Sequence, residues 1–216
     1  MSEKLLLVGS GRLAFQLAEI IRDIDCFGYY EIISFCRYAP DSASMPFKRI
    51  FELPSNFSYV AAIGNPHYRK KEMVYLSKHR GKHCCARNVL SNSALIDRSV
   101  KIQPNSGVIV LSGAILGSSS VIGAFSLIGS GTIIEHDCSI GDFCTMGPGV
   151  VICGSTKISE LAFIGANATI LQNIMIGTET VIGAGSVVLK SQGDKILCVG
   201  NPCREIKRLE SGHNYL

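Results

Sequence analysis

The residues able to do chemistry gather in two short segments of this 216-residue chain. The first is Glu135-His136-Asp137-Cys138, a charged triplet inside a long stretch of Ile, Gly, Ser and Thr. His136 is the only histidine between His83 and His213. An imidazole beside carboxylates is suited to act as a general base near neutral pH. The same residue also fits a surface histidine without a role. A single histidine cannot make a three-imidazole metal site and no C-x-x-C pair is present, so no metal is expected.

The second segment is Val8-Gly9-Ser10-Gly11-Arg12-Leu13-Ala14, a G-x-G-x-x-A loop after an apolar run and before a helical pattern. Free backbone N–H groups at such a loop, with the helix dipole behind them, favour an anion, and glycine lets the backbone come close. A dinucleotide site also needs an acidic residue about 20 residues on, at the end of the second strand. That strand ends Phe35-Cys36-Arg37-Tyr38, without a carboxylate, which argues against NAD. A smaller phosphorylated ligand and a ligand-free turn both remain compatible with the loop. Gly64-Asn65-Pro66 ends the third strand at the same carboxyl edge, where open parallel sheets bind ligands. Arg69 follows one turn later, placed to reach a phosphate or to lie on a solvated helix face.

These segments need different scaffolds. Strand-like runs at Lys4–Val8, Glu31–Phe35, Tyr59–Ile63 and His83–Ala86 alternate with helical patterns at about Arg12–Arg22 and Arg69–His79. Such alternation implies a small Rossmann-like parallel α/β sheet with right-handed crossovers, spanning residues 1–85.

Residues 86–216 follow another rule. An apolar residue recurs at every sixth position from Leu116 through Ile134, Ile152 and Ile170 to Val188, without a break. A small residue, usually Gly, tends to follow it, and a compact Ser, Thr, Ala or Cys tends to stand two places before it. A period of six fits neither a helix nor an ordinary strand and marks a hexapeptide β-helix. Three hexads make one triangular coil, so residues 18 apart should stack, Ile134 on Ile152 on Ile170 on Val188. Residues 86–115 read as the opening coils, with about two extra residues near Asn105–Leu111. Cys198–Pro202 reads as a closing strand and turn, and Glu205–Leu209 as a short capping helix.

Composition narrows the function classes. Hydrophobic content is 47% and the net charge is +4, with lysines and arginines scattered, so no nucleic-acid surface is expected. The short apolar run at Leu5–Val8 is neither a secretory signal nor a membrane span. The nine cysteines are odd in number and lack framework spacing. They read as reduced thiols of a cytoplasmic protein, several of them serving as compact hydrophobes in the repeat. Cys138 stands in the inward column, which argues against an acyl-cysteine intermediate.

Three blocks together resemble a known family. They are Gly-Ser-Gly-Arg after the first strand, Ile63-Gly64-Asn65-Pro66 with Arg69, and Ile133-Ile134-Glu135-His136-Asp137-Cys138-Ser139-Ile140-Gly141-Asp142-Phe143. The pattern continues through Gly147-Pro148-Gly149-Val150, Ile182–Val188 and Gly200-Asn201-Pro202. These residues look like the sugar acetyltransferases of the NeuD and PglD type, which include sialic acid O-acetyltransferases and N-acetyltransferases of nucleotide-linked amino sugars. The resemblance implies an α/β domain followed by a left-handed parallel β-helix, a homotrimer with active sites between subunits, and acetyl-CoA as co-substrate in the groove between neighbours. It implies that His136 is the base, that Asp137 raises its basicity, and that the Gly154 N–H serves the thioester oxygen. Ala166 and Ala184 would contact the coenzyme through their backbone. Ser10, Gly11, Arg12 and Gly64, with Arg37, Asn65 and Arg69 beside them, would hold the nucleotide-sugar. Thr145 stands where relatives often carry a second, coenzyme-contacting histidine. Acidic residues that bind the base in some relatives fall near Cys36-Arg37, where this chain has none.

The expected activity is acetyl-CoA-dependent N-acetylation of a nucleotide-linked 4-amino-4,6-dideoxysugar, a cytoplasmic step of surface-polysaccharide synthesis. O-acetylation of a sialic-acid-like sugar would use the same base. A non-catalytic nucleotide-sugar-binding protein would leave Glu135-His136-Asp137 without a purpose.

Overall fold

The computed structural model describes residues 3–9, 11–24, 30–35, 57–80 and 84–212. The chain opens with strand β1 (Glu3–Val8), helix α1 (Arg12–Ile24), strands β2 (Tyr30–Phe35) and β3 (Phe57–Val60), helix α2 (Pro66–Arg80) and strand β4 (Cys84–Ala86). The four strands form one parallel sheet in the order β2-β1-β3-β4. Leu5, Leu6, Leu7 and Val8 are buried, as expected of a strand covered on both faces. Helix α1 turns Ala14, Leu17, Ile20 and Ile21 inward. Helix α2 begins earlier than its apolar pattern suggests, because Asn65 caps it and Pro66 opens it. The Asn65 Oδ1 accepts from the backbone N–H groups of His67 (3.0 Å) and Tyr68 (3.1 Å).

From Val89 the chain winds as a left-handed parallel β-helix built of two-residue strands. Three faces result. The first carries Val89–Leu90, Ile109–Val110, Leu127–Ile128, Thr145–Met146, Phe163–Ile164 and Val181–Ile182; the second runs from Leu95–Ile96 to Val187–Val188; the third from Lys101–Ile102 to Met175–Ile176. Residues 18 apart pair in register: Ile134 with Ile152, Ile152 with Ile170, Ile170 with Val188. The two extra residues fall between Ile102 and Ile109, so the opening coils pair 20 apart, Leu90 with Val110 and Ile96 with Leu116.

In each strand the second residue points into the prism and the first points out, as the pleat dictates. The inward set, from Val110 and Leu116 to Ile182 and Val188, forms one continuous core. The compact column has a specific task. Ser120, Ser126, Thr132 and Thr156 donate to the carbonyls of Glu135, Gly141, Gly147 and Leu171, one coil on. Cys138 and Cys144 replace the hydroxyl with a thiol that donates to Cys153 O and Ser159 O. Buried polar groups are thereby satisfied without widening the coil.

The outward residues of the first face lie under the N-terminal sheet: Val89, Ile109 and Leu127 share a core with β1 and α1. The other end closes differently from expectation. Arg204–Arg208 is a strand, antiparallel to Ile196–Val199, not a capping helix. Five residues are too few to nucleate a stable helix, and the open edge of the first face offers them hydrogen bonds instead. No helix among the described residues is long and apolar enough to cross a membrane.

Candidate active site

From Val110 to Ile182 each corner of the solenoid turns through one residue in the left-handed backbone region, three positions after the inward apolar residue. Between the second and third faces these residues are Ser119, Asp137, Ser155 and Asn173. Asp137 (φ 59°) follows His136 there, and its Oδ2 lies 2.8 Å from His136 Nδ1. An ionised carboxylate only accepts, so Nδ1 carries the hydrogen of this bond and Nε2 is the basic atom of the neutral ring. Both side chains are more than half exposed.

The opposite edge of the ring lies on Gly154, one coil further. A Cβ on Gly154 would stand 2.7 Å from His136 Cε1 and 2.7 Å from Nε2, so only glycine leaves room for the imidazole. Ser155 N–H donates to His136 O at 3.0 Å and ties the two coils together. The N–H groups of Gly154, Ala166 and Ala184 donate to no acceptor among the described residues. Gly154 shares the corner of His136, whereas Ala166 and Ala184 stack at the corner between the first and second faces. There Gly147 and Gly165 let the coils approach: a Cβ on Gly147 would lie 2.6 Å from Ala166 N. A cleft of about 420 Å³ opens one coil before His136, lined by Leu95, Asp97, Ile115, Gly117 and Ser118. Its floor adjoins the histidine, since Ser118 O accepts from Asp137 N–H at 2.9 Å.

Cys138 is buried directly after Asp137, and burial pushes its thiol above the ordinary value, away from the thiolate a nucleophile needs. Burial likewise pushes Cys144 up to about 12. Among the described residues no group of His, Cys, Asp and Glu could hold a metal ion.

The residues expected to hold a nucleotide-sugar divide. Ser10 and Arg37 lie outside the described residues. Gly11 and Arg12 are exposed where α1 begins, and a Cβ on Gly11 would meet nothing within 4 Å. Gly9 (φ 138°) packs against Ala62, whose carbonyl a Cβ would strike. Gly64 faces the same carboxyl edge, with open space beside its Cα.

Arg69 corrects its expectation. It is neither a phosphate arm nor on a solvated face, but fully buried. Its Nε donates to Phe125 O (2.7 Å), Nη1 to Ile63 O and Gly64 O (3.0 Å), and Nη2 to Phe143 O (3.0 Å), Cys144 O (2.9 Å) and Thr145 Oγ1 (2.8 Å). A guanidinium engaged at every nitrogen and closed off from water has nothing left for a phosphate. Thr145 is corrected with it. It points from the first face into the N-terminal domain, buried, with its Oγ1 donating to Gly64 O at 2.9 Å, and not toward the corner of His136.

Sequence reasoning missed the corner between the third and first faces, where the left-handed residues include Phe125, Phe143, Leu161 and Glu179. The rings of Phe125 and Phe143 stack at 5.0 Å, and Tyr59 stacks on Phe125 at 6.5 Å. Glu179 sits 3.8 Å from His67, whose pKa burial lowers while Glu179 opposes the shift. The signal was available: read every 18 residues, the corner column is bulky here and small or polar at the other corners.

Comparison with known proteins matches residues 119–154 and 155–190 to the bacterial transferase hexapeptide (six repeats) family. Among solved structures, a histidine-to-alanine mutant of GDP-perosamine N-acetyl transferase from Caulobacter crescentus, in complex with CoA and GDP-perosamine, superposes with a TM-score of 0.86 at 23% identity, covering 96% of this chain and 98% of that one. The acetyltransferase domain of PglB from Neisseria gonorrhoeae, in complex with acetyl coenzyme A, gives 0.83 at 22% identity, covering 95% and 100%. WeeI from Acinetobacter baumannii gives 0.82 at 24% identity, covering 94% and 100%. Residues 119–190 thus match bacterial transferase hexapeptide repeats, and the chain shares its fold with GDP-perosamine N-acetyl transferase.

Proposed function

We propose that the chain is an acetyl-CoA-dependent N-acetyltransferase whose acceptor is a nucleotide-linked 4-amino-4,6-dideoxysugar. The observation that carries the reading is the His136 imidazole, held by Asp137 at Nδ1 and resting with its Nε2 edge on Gly154. His136 Nε2 takes the proton of the acceptor amine as the nitrogen bonds to the thioester carbon. Gly154 N–H donates to the thioester oxygen, where negative charge develops. The carbon–sulfur bond then breaks and CoA leaves as the thiolate, the proton passing from His136 to sulfur or solvent. Asp137 stabilises the imidazolium between these events. The unengaged amides of Ala166 and Ala184 fit the amide-rich pantetheine arm of acetyl-CoA. The cleft before His136 has room for the acceptor sugar, and Gly11, Arg12 and Gly64 mark the edge for its nucleotide. The match to a protein solved with CoA and GDP-perosamine supports the same pairing of substrates.

The reading includes a homotrimer with active sites between subunits. The outward column of the second face, Leu95, Ile115, Ile133, Val151 and Val187 with Thr169, is almost wholly apolar, and Leu95 is 67% exposed. The third face instead presents Lys101, Ser139 and Lys157 with Val121 and Met175. An apolar stripe left in water favours association. Analytical ultracentrifugation should give a trimer that Val151→Lys dissociates; a wild-type monomer would overturn the assembly.

The activity is tested by following CoA thiol release with UDP-, dTDP- and GDP-linked 4-amino-4,6-dideoxysugars. Release with at least one is expected. Tight binding without release from any would favour a non-catalytic binding protein, and release only with a sialic-acid-like hydroxyl acceptor would favour O-acetylation.

A further inference from the structure

Arg69 and Thr145 are the residues whose positions the proposed chemistry does not explain, and they are joined. Both donate to the carbonyl of Gly64, Arg69 Nη1 at 3.0 Å and Thr145 Oγ1 at 2.9 Å, and they bond to each other at 2.8 Å. Gly64 ends β3's connection at the carboxyl edge of the N-terminal sheet, whereas Thr145 belongs to the solenoid. The guanidinium continues to Phe125 O and Phe143 O, on successive coils of the solenoid. Phe143 follows His136 by seven residues. One buried node therefore spans the sheet edge and the coil that bears the base.

We propose that Arg69 and Thr145 are positioning residues that set the Gly64 turn, and with it the nucleotide end of the acceptor, at a fixed distance from His136. The proposal rests on the N-acetyltransferase reading above. A trans peptide holds its C=O and N–H antiparallel. Two donors pulling the Gly64 carbonyl toward the solenoid thus direct the following N–H away from it, at the carboxyl edge of the sheet where α1 also begins. A ligand anchored there by its phosphates has its sugar delivered only if the sheet keeps its angle to the solenoid. Two charge-assisted or buried hydrogen bonds on one oxygen suit that task better than apolar contact, which has no direction. Phe125 and Phe143 supply the packing of the joint, and the node supplies its register.

The experiment is steady-state kinetics of Thr145→Val, which keeps the shape and removes the hydroxyl, beside Thr145→Ser, which restores it. Thr145→Val should raise KM for the nucleotide amino sugar about tenfold, the scale of one lost buried hydrogen bond, and leave KM for acetyl-CoA unchanged. Thr145→Ser should return KM for the nucleotide amino sugar to wild type. An unchanged KM for the nucleotide sugar, an equal rise in both constants, or failure of serine to rescue would overturn the proposal; a rise for acetyl-CoA alone would return Thr145 to the coenzyme site. Should Thr145→Val not fold, Arg69→Lys, which keeps the charge and gives up the fork, is read by the same outcomes. Wild-type protein without turnover on any nucleotide amino sugar would overturn the underlying function and this inference with it. Wild-type turnover with an indifferent Thr145→Val would overturn this inference alone.

Discussion

Two corners of the same coils share one backbone and do opposite work. At Asp137 and at Phe143 the chain takes the same left-handed turn, φ 59° and φ 57°, six residues apart. The first corner is open and polar, and presents His136 above Gly154. The second is closed under α2, with Phe125, Phe143 and Leu161 packed where Ser119, Asp137 and Ser155 stand in water. A bulky residue with positive φ is strained, by about 1 kcal/mol or more each, and such strain persists only where surrounding contacts hold it. The comparison teaches that in a repeat of this regularity the scaffold does not choose the site. The side chain set at each corner does.

Breaking the open corner should cost the most. Gly154→Ala puts a Cβ against the imidazole, which must swing away and leave Asp137. Because the displaced group is the end of an exposed side chain, the fold survives. We expect kcat to fall about a hundredfold or more with melting temperature near wild type, checked by CoA release beside thermal unfolding. Asp137→Asn keeps the turn and removes the charge behind the imidazolium. It should lower kcat about tenfold and leave KM for acetyl-CoA near wild type. At the closed corner the effect should move from rate to stability. Phe143→Ala removes half of the stacked pair, and should cost about 2 kcal/mol in denaturant unfolding while kcat at saturation stays close to wild type. The smallest effect belongs to His67. Burial holds its pKa below the ordinary 6.5, so the folded chain binds this proton less readily than the unfolded chain. Stability is therefore lost as pH falls through 6.5. The drop in melting temperature between pH 7 and pH 5.5 should be smaller in His67→Gln than in wild type.

Most of the fold was legible because a sixfold repeat and, before it, an alternation of strand-like and helical runs are printed in the chain. The sixfold repeat fixes which residue of each strand enters the prism, and the two-residue slip before Ile109 shows in the same column. The corner of His136 was legible too, as the charged break in that repeat. What sequence could not show is how the two domains meet. Arg69 on a helix and Thr145 on a strand each look like surface positions, and only the docking of α2 on the first face buries them together. The strand at Arg204–Arg208 was missed for a related reason: its pairing partner is an edge that exists only once the last coil is closed.

The proposed chemistry stands or falls on His136. The most direct measurement is the rate of CoA release by His136→Ala, with the nucleotide amino sugar that the wild-type protein acetylates, in a protein shown by unfolding and sedimentation to keep its fold and assembly. Loss of about a thousandfold or more in kcat is predicted, since base and imidazolium disappear together. Turnover within a few-fold of wild type would contradict the assignment and move the chemistry away from this corner.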